Sequence, residues 1–110
     1  MSRNSTDRLL DIAAACERIA EYMTQASDGA VTDDIVFDAI RMRLVEIGEA
    51  VKELDDETRR LEPELPWAEI ARMCDMLAHR YFDTTHAIVM ATARDDAPHL
   101  AEAVRRMLGQ

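Results

Sequence analysis

The sequence predicts an all-α fold, an up-and-down bundle of four main helices with the last one broken near Pro98. Three observations predict it. Alanine, leucine, methionine, glutamate and arginine dominate, and these are good helix formers. Only three glycines and three prolines punctuate 110 residues, so few turns are available. Apolar residues recur at spacings of three and four, which draws a stripe along a helix. At this length one domain, residues 1–110, with a single core is expected.

The first helix is expected to start after Ser5 or Thr6, either of which can cap free amides. Leu9, Ile12, Cys16, Ile19 and Met23 form its stripe, and Ser27-Asp28-Gly29 ends it, Gly29 being suited to a positive φ. The second begins after Thr32, where Asp33 and Asp34 favour a helix N-terminus. Val36, Ile40, Leu44, Ile47, Val51 and Leu54 make a long stripe, near-heptad in its second half, that packs on another helix, in this chain or in a second copy. Gly48 inside it costs about 1 kcal/mol relative to alanine, and close approach of a neighbouring backbone is the expected return.

Residues 55–65 read as a charged connector with Pro63 and one short turn. Pro66 fits the first turn of the next helix, and Trp67 anchors that end. This helix buries Ile70, Met73 or Cys74, Leu77 and Tyr81. Asp83-Thr84-Thr85 reads as a break and a cap, and the last helix runs from about Thr85 to Arg94. Pro98 lacks an amide proton and restrains Ala97, so a break is expected there. A final segment then carries Leu100, Val104 and Leu108 inward.

Seven methionines and few aromatics suit an adaptable core or interface. A net charge of −9 speaks against an extended nucleic-acid-binding surface, though not against a small site with two or three arginines. It also suits a basic partner. Cys16 and Cys74 sit in apolar helical patterns and form no metal-type cluster, so two buried thiols in a reducing compartment are expected. The N-terminal stretch does not read as a signal peptide, and no run approaches the roughly 20 apolar residues of a membrane span. A soluble, cytoplasmic protein is the expectation.

The segment 66–83, PWAEIARMCDMLAHRYFD, holds most of the reactive side chains. Arg72 and His79 are seven apart, so they differ by roughly 20° around a helix and about 10 Å along it. Asp75 and His79 are i and i+4, within reach of each other, and an aspartate orients an imidazole and favours its charged form. Arg80 and Tyr81 follow directly. No nucleophile elbow, phosphate-binding glycine loop or zinc-type His/Cys spacing occurs, so neither a metal nor another cofactor is expected. Metal-free RNA cleavage needs few parts. One group removes a proton from the 2′-hydroxyl, another protonates the leaving oxygen, and a cation steadies the phosphorane. A histidine does the proton work near pH 7, and an arginine clamps phosphate with paired donors. Two such helices in a homodimer would double these groups in one cleft. The plain alternative is a solvated polar face with a tyrosine at its edge, and residue types alone favour it. His86 and His99 read as surface or core-edge histidines.

Three stretches together resemble the HEPN-domain ribonuclease toxins of the HepT type. They are IRMRLVEIGEAVKEL, the connector ending Pro63-Glu64-Leu65-Pro66-Trp67, and the run M-x-D-x-L-x-H-x-Y-F from Met73 to Phe82. The resemblance covers nearly the whole chain. It implies a helical homodimer or higher oligomer whose composite cleft cleaves RNA without metal. It also implies a toxin paired with a nucleotidyltransferase antitoxin of the minimal type (MNT), which in some pairs adds AMP to the motif tyrosine. Carried onto this sequence, His79 is the catalytic histidine, Asp75 the polar residue after the family arginine, and Tyr81 the candidate AMPylation site. One position departs: the family arginine, five before the histidine, is Cys74 here. The nearest upstream arginine is Arg72, with six residues intervening. Positions 74 and 79 differ by roughly 140° on a helix, so Arg72 does not inherit the contacts of residue 74. Three readings stay open. Arg72 reaches the cleft; or Arg43, Arg80 or an arginine of a second subunit compensates; or the chain is a weak or inactive binding module that docks the nucleotidyltransferase.

Overall fold

The computed structural model describes residues 3–79 and 86–110. Arg80, Tyr81 and the expected break and cap at Asp83-Thr84-Thr85 lie outside the described residues. The elements run α1 (Arg3–Ser27), α2 (Asp33–Lys52), the short α3 (Asp56–Arg59), α4 (Trp67–His79), α5 (His86–Ala91), a π-turn (Thr92–Asp96) and α6 (Ala97–Met107). Among the described residues there is no strand. No helix is long and apolar enough to cross a membrane.

α2 lies between α1 and α4, and α6 packs on α1. The expected stripes are the ones buried. Leu9, Ile12, Cys16 and Ile19 of α1 meet Val36, Ile40, Leu44, Ile47 and Val51 of α2 in a single cluster that also takes in Leu77, Leu100 and Val104. α1 ends as foreseen. Gly29 has φ 73°, its N–H donates to the Ala26 carbonyl at 3.1 Å, and the Ala30 N–H reaches back to Gln25 at 3.0 Å. This pair of bonds satisfies carbonyls the helix end would otherwise leave open.

The start of α1 differs from expectation. The helix is already formed at Arg3, and Ser5 is inside it rather than capping it. Ser5 is buried on the same stripe as Leu9 and Ile12, and its Oγ accepts the Asp55 N–H at 3.2 Å. A small hydroxyl on the inner face thus serves the entry to α3. There Asp55 caps the turn, its Oδ1 accepting the Thr58 N–H at 2.8 Å. Trp67 anchors this connector from α4, its indole N–H donating to the carbonyls of Arg59 (3.1 Å) and Glu62 (3.2 Å).

The expected break near Pro98 takes the form of the π-turn. Pro98 has no N–H to give back to the preceding turn. The five-residue widening at Thr92–Asp96 absorbs that missing bond, and Pro98 then sits in the first turn of α6.

Gly48 sets the distance between α2 and α4. A Cβ on it would stand 3.0 Å from the Cys74 Cβ and 3.7 Å from the Ala71 carbonyl oxygen. The close approach expected of this glycine is therefore made, and its neighbour is α4.

Candidate functional site

α4 is amphipathic in a simple way. Trp67, Ala71, Cys74 and Leu77 are buried, while Arg72, Met76 and His79 are exposed. The exposed three are i, i+4 and i+7, so they share one face. The structure thus brings Arg72 and His79 onto one side of α4, with Met76 between them. Neither Arg72 nor His79 has a hydrogen bond or ion pair among the described residues.

Asp75 is held differently from the sequence expectation. Its carboxylate pairs with the Lys52 ammonium of α2 at 2.6 Å, and no bond joins it to His79. Asp75 sits about 100° around the helix from both Met76 and Cys74, so it stands at the seam with α2. Lys52, near the end of α2, meets it there.

Cys74 is 2% exposed and faces Gly48. Burial, followed by the charges of Asp75 and Cys16, pushes its thiol up to about 12, with Lys52 pulling the other way. Burial of this kind marks a structural rather than a reactive thiol. Its seat is a packing position between two helices. Cys16 is likewise buried and pushed up to about 12, and both cysteines are free.

The two arginines of α2 part company. Arg43 pairs with Glu46 at 3.1 Å, and Glu46 lines a surface groove shared with Arg8, Asp11 and Ala14 of α1. Arg43 therefore lies on the α1 side and does not join His79. Arg41 does reach α4. Its Nε–H donates to the Leu77 carbonyl at 3.0 Å and its Nη2–H to the Ala78 carbonyl at 2.6 Å. Its guanidinium lies 5.6 Å from the Phe37 ring centroid, and Phe37 stacks on His86 at 5.2 Å. Sequence reasoning missed Arg41, although a signal existed. Arg41 is seven residues before Gly48, so the two share a face of α2, and Gly48 marks the face that meets α4.

A cavity of about 400 Å³ opens between α2, α4, the π-turn and α6, lined by Leu44, Ile47, Ile70, Met73, Cys74 and Leu100 among others. His99 also lines it. None of Arg72, Asp75 or His79 lines it, so this cavity and the exposed face of Arg72 and His79 are separate places. No group of three or more metal-ligating side chains occurs among the described residues.

The comparisons agree with the sequence motifs. The profile of the family described as "Ribonuclease HepT-like" matches residues 12–107. A protein of Thermococcus cleftensis named "Probable ribonuclease HepT" is 38% identical over 101 residues, covering 91% of this chain and 92% of the relative. A protein of Caldanaerobacter subterraneus subsp. tengcongensis named "Putative RNase TTE0752" is 36% identical over 93 residues, covering 80% and 83%. In Methanocaldococcus jannaschii, "Putative RNase MJ0127" is 29% identical over 108 residues, covering 89% and 88%. No solved structure matches the chain significantly. With the family match running from within α1 to the end of α6 and two relatives matched over most of their length, the chain belongs to the ribonuclease HepT-like family.

Proposed function

We propose that this protein is a metal-independent endoribonuclease, the toxin of a toxin–antitoxin pair, acting from a cleft between two copies of the chain. The observation that carries this reading is the exposed face of α4 that Arg72 shares with His79, the last residue of that helix, in a member of the ribonuclease HepT-like family. An exposed imidazole can take the 2′-hydroxyl proton or protonate the departing 5′-oxygen near pH 7. One imidazole cannot hold both states at once, and a second copy of α4 supplies the other. Arg72 offers paired donors to the phosphate as negative charge grows on it. Arg80, next to His79, is a second candidate for phosphate support, whereas Arg43, turned to α1, fits that role poorly. The partners of this reading are a second copy, RNA and an MNT-type nucleotidyltransferase that modifies Tyr81. Its place of action is the cytoplasm, where the RNA is.

RNA cleavage in EDTA tests it. His79→Ala is expected to abolish cleavage, and Arg72→Ala to lower kcat about 100-fold, the scale for losing one charge-stabilising donor. Undiminished cleavage by His79→Ala removes the histidine from the mechanism. Intact mass after co-expression with the nucleotidyltransferase, read for whole AMP units and repeated with Tyr81→Phe, tests the modification. The second reading, a silent module that docks the nucleotidyltransferase, is favoured by the buried, uncharged Cys74 at the family arginine position. It predicts tight partner binding with no cleavage by the unaltered protein.

A further inference from the structure

The geometry points to Arg41 and Phe37 of α2 as positioning residues that hold the two ends of the link between α4 and α5, and so fix His79 for its reaction. The inference rests on the ribonuclease reading for its activity arm only. The Leu77 and Ala78 carbonyls belong to the last turn of α4, where carbonyls have no partner within the helix. Arg41 satisfies both with one planar fork, at 3.0 and 2.6 Å. The cation also suits the negative end of the helix dipole. The Ala78 carbonyl lies in the same rigid peptide plane as the His79 nitrogen. Gripping that oxygen therefore holds the backbone from which the imidazole projects.

Arg41 is itself held. Its guanidinium sits over Phe37, one turn earlier on α2, at 5.6 Å, a distance at which a cation is attracted to the ring. The same ring stacks on His86, the first residue of α5, at 5.2 Å with planes 17° apart. Two side chains on one face of α2 thus touch both Ala78 and His86, on either side of residues 80–85. With Nε and Nη2 committed to backbone carbonyls, Arg41 acts through His79 rather than on phosphate.

Two measurements on the full-length chain test this. The first is steady-state cleavage of a defined RNA in EDTA. Arg41→Ala is expected to lower kcat about 10- to 100-fold, the scale for a displaced catalytic group, with KM within about twofold. Arg41→Lys, which keeps the charge but lacks the fork, should not restore kcat, and Phe37→Leu should give a smaller loss of the same kind. Arg59→Ala is the control. Arg59 also donates to a helix-end carbonyl, that of Val51 at 2.9 Å, but on the connector side. It should keep kcat even where its Tm falls as much. The second measurement is the His79 imidazole Cε1–H NMR signal, assigned among three histidines by its loss in His79→Ala. It should be one sharp line in the unaltered chain and in Arg59→Ala, and broadened or split in Arg41→Ala. Wild-type kcat in Arg41→Ala, a raised KM at unchanged kcat, or an unmoved His79 signal overturns the inference. Full cleavage by His79→Ala overturns the ribonuclease mechanism instead, and the NMR signal then decides the Arg41 contact alone.

Discussion

The two faces of α4 are interleaved on thirteen residues and differ in almost every property. On the α2 side, Ala71, Cys74 and Leu77 are buried, and Gly48 lets the helices approach until a single added carbon would crowd Cys74. On the open side, Arg72, Met76 and His79 face solvent, and neither the Arg72 guanidinium nor the His79 imidazole has a hydrogen bond or ion pair among the described residues. The difference shows that a motif position is first a place on a face. Residue 74 lies on the packing face, so its thiol contributes volume and dryness. The exposed stripe through His79 is the one that carries Arg72.

The largest expected effect comes from forcing the packing face to behave like the open one. Cys74→Arg puts an unpaired charge and a long side chain into the closest contact between α2 and α4. A loss of about 3 kcal/mol or more is expected, read as the urea midpoint or Tm, with no gain in RNA cleavage. A variant that melts like the wild type and cleaves RNA faster would mean that a side chain at 74 escapes to the solvent face, and the division between faces would fall.

Alkaline pH loads the same face without a mutation. Burial pushes both thiols up to about 12. Unfolded cysteines ionise near their ordinary value of about 8.5, while the folded ones resist. The unfolded chain thus gains charge first. The thiols' contribution to stability is complete below about pH 8.5 and declines as pH climbs towards 12. The double variant Cys16→Ala/Cys74→Ala should show a shallower fall in urea midpoint between pH 8 and 11, and an equal slope would contradict the buried, protonated state of these thiols.

Gly48→Ala probes the contact from α2. The helix gains about 1 kcal/mol from the better helix former, and the crowded Cβ costs about 1–3 kcal/mol. A net loss of about 1 kcal/mol in chemical denaturation is expected. A net gain would mean that the 3.0 Å contact relaxes freely.

Much of this was legible in the sequence because helical periodicity reports faces directly. The stripes through Leu9 and Ile40, the role of Gly48, the Trp67 anchor and the irregularity near Pro98 all follow from spacing and from what glycine and proline can do. The shared face of Arg72 and His79 was legible for the same reason. What was not legible depended on partners from other elements. Ser5 looks like a cap from its neighbours, but its hydroxyl serves Asp55, fifty residues on. Arg41 and Arg43 are equivalent as composition, and only the packing of α2 between α1 and α4 separates them. The form of the break near Pro98, a widened turn rather than a stop, depends on how the backbone hydrogen bonds are shared out between α5 and α6.

Asp75 is the smallest test and the one that bears most directly on the border between the faces. Sequence spacing sets it one turn before His79, where it would orient the imidazole. The structure gives its carboxylate to Lys52 at 2.6 Å, with both side chains more than two-fifths exposed. Exposed pairs of this kind contribute about 0.2–1 kcal/mol and are screened by salt. Asp75→Asn should therefore cost about 0.5 kcal/mol at low ionic strength, match Lys52→Ala, and lose the difference in about 1 M salt. If the carboxylate serves only the seam between α2 and α4, kcat and its pH profile stay as in the wild type. If it turns to His79 when RNA is bound, kcat falls and the pH profile moves while Lys52→Ala leaves both alone. The comparison of these two variants decides to which face Asp75 belongs.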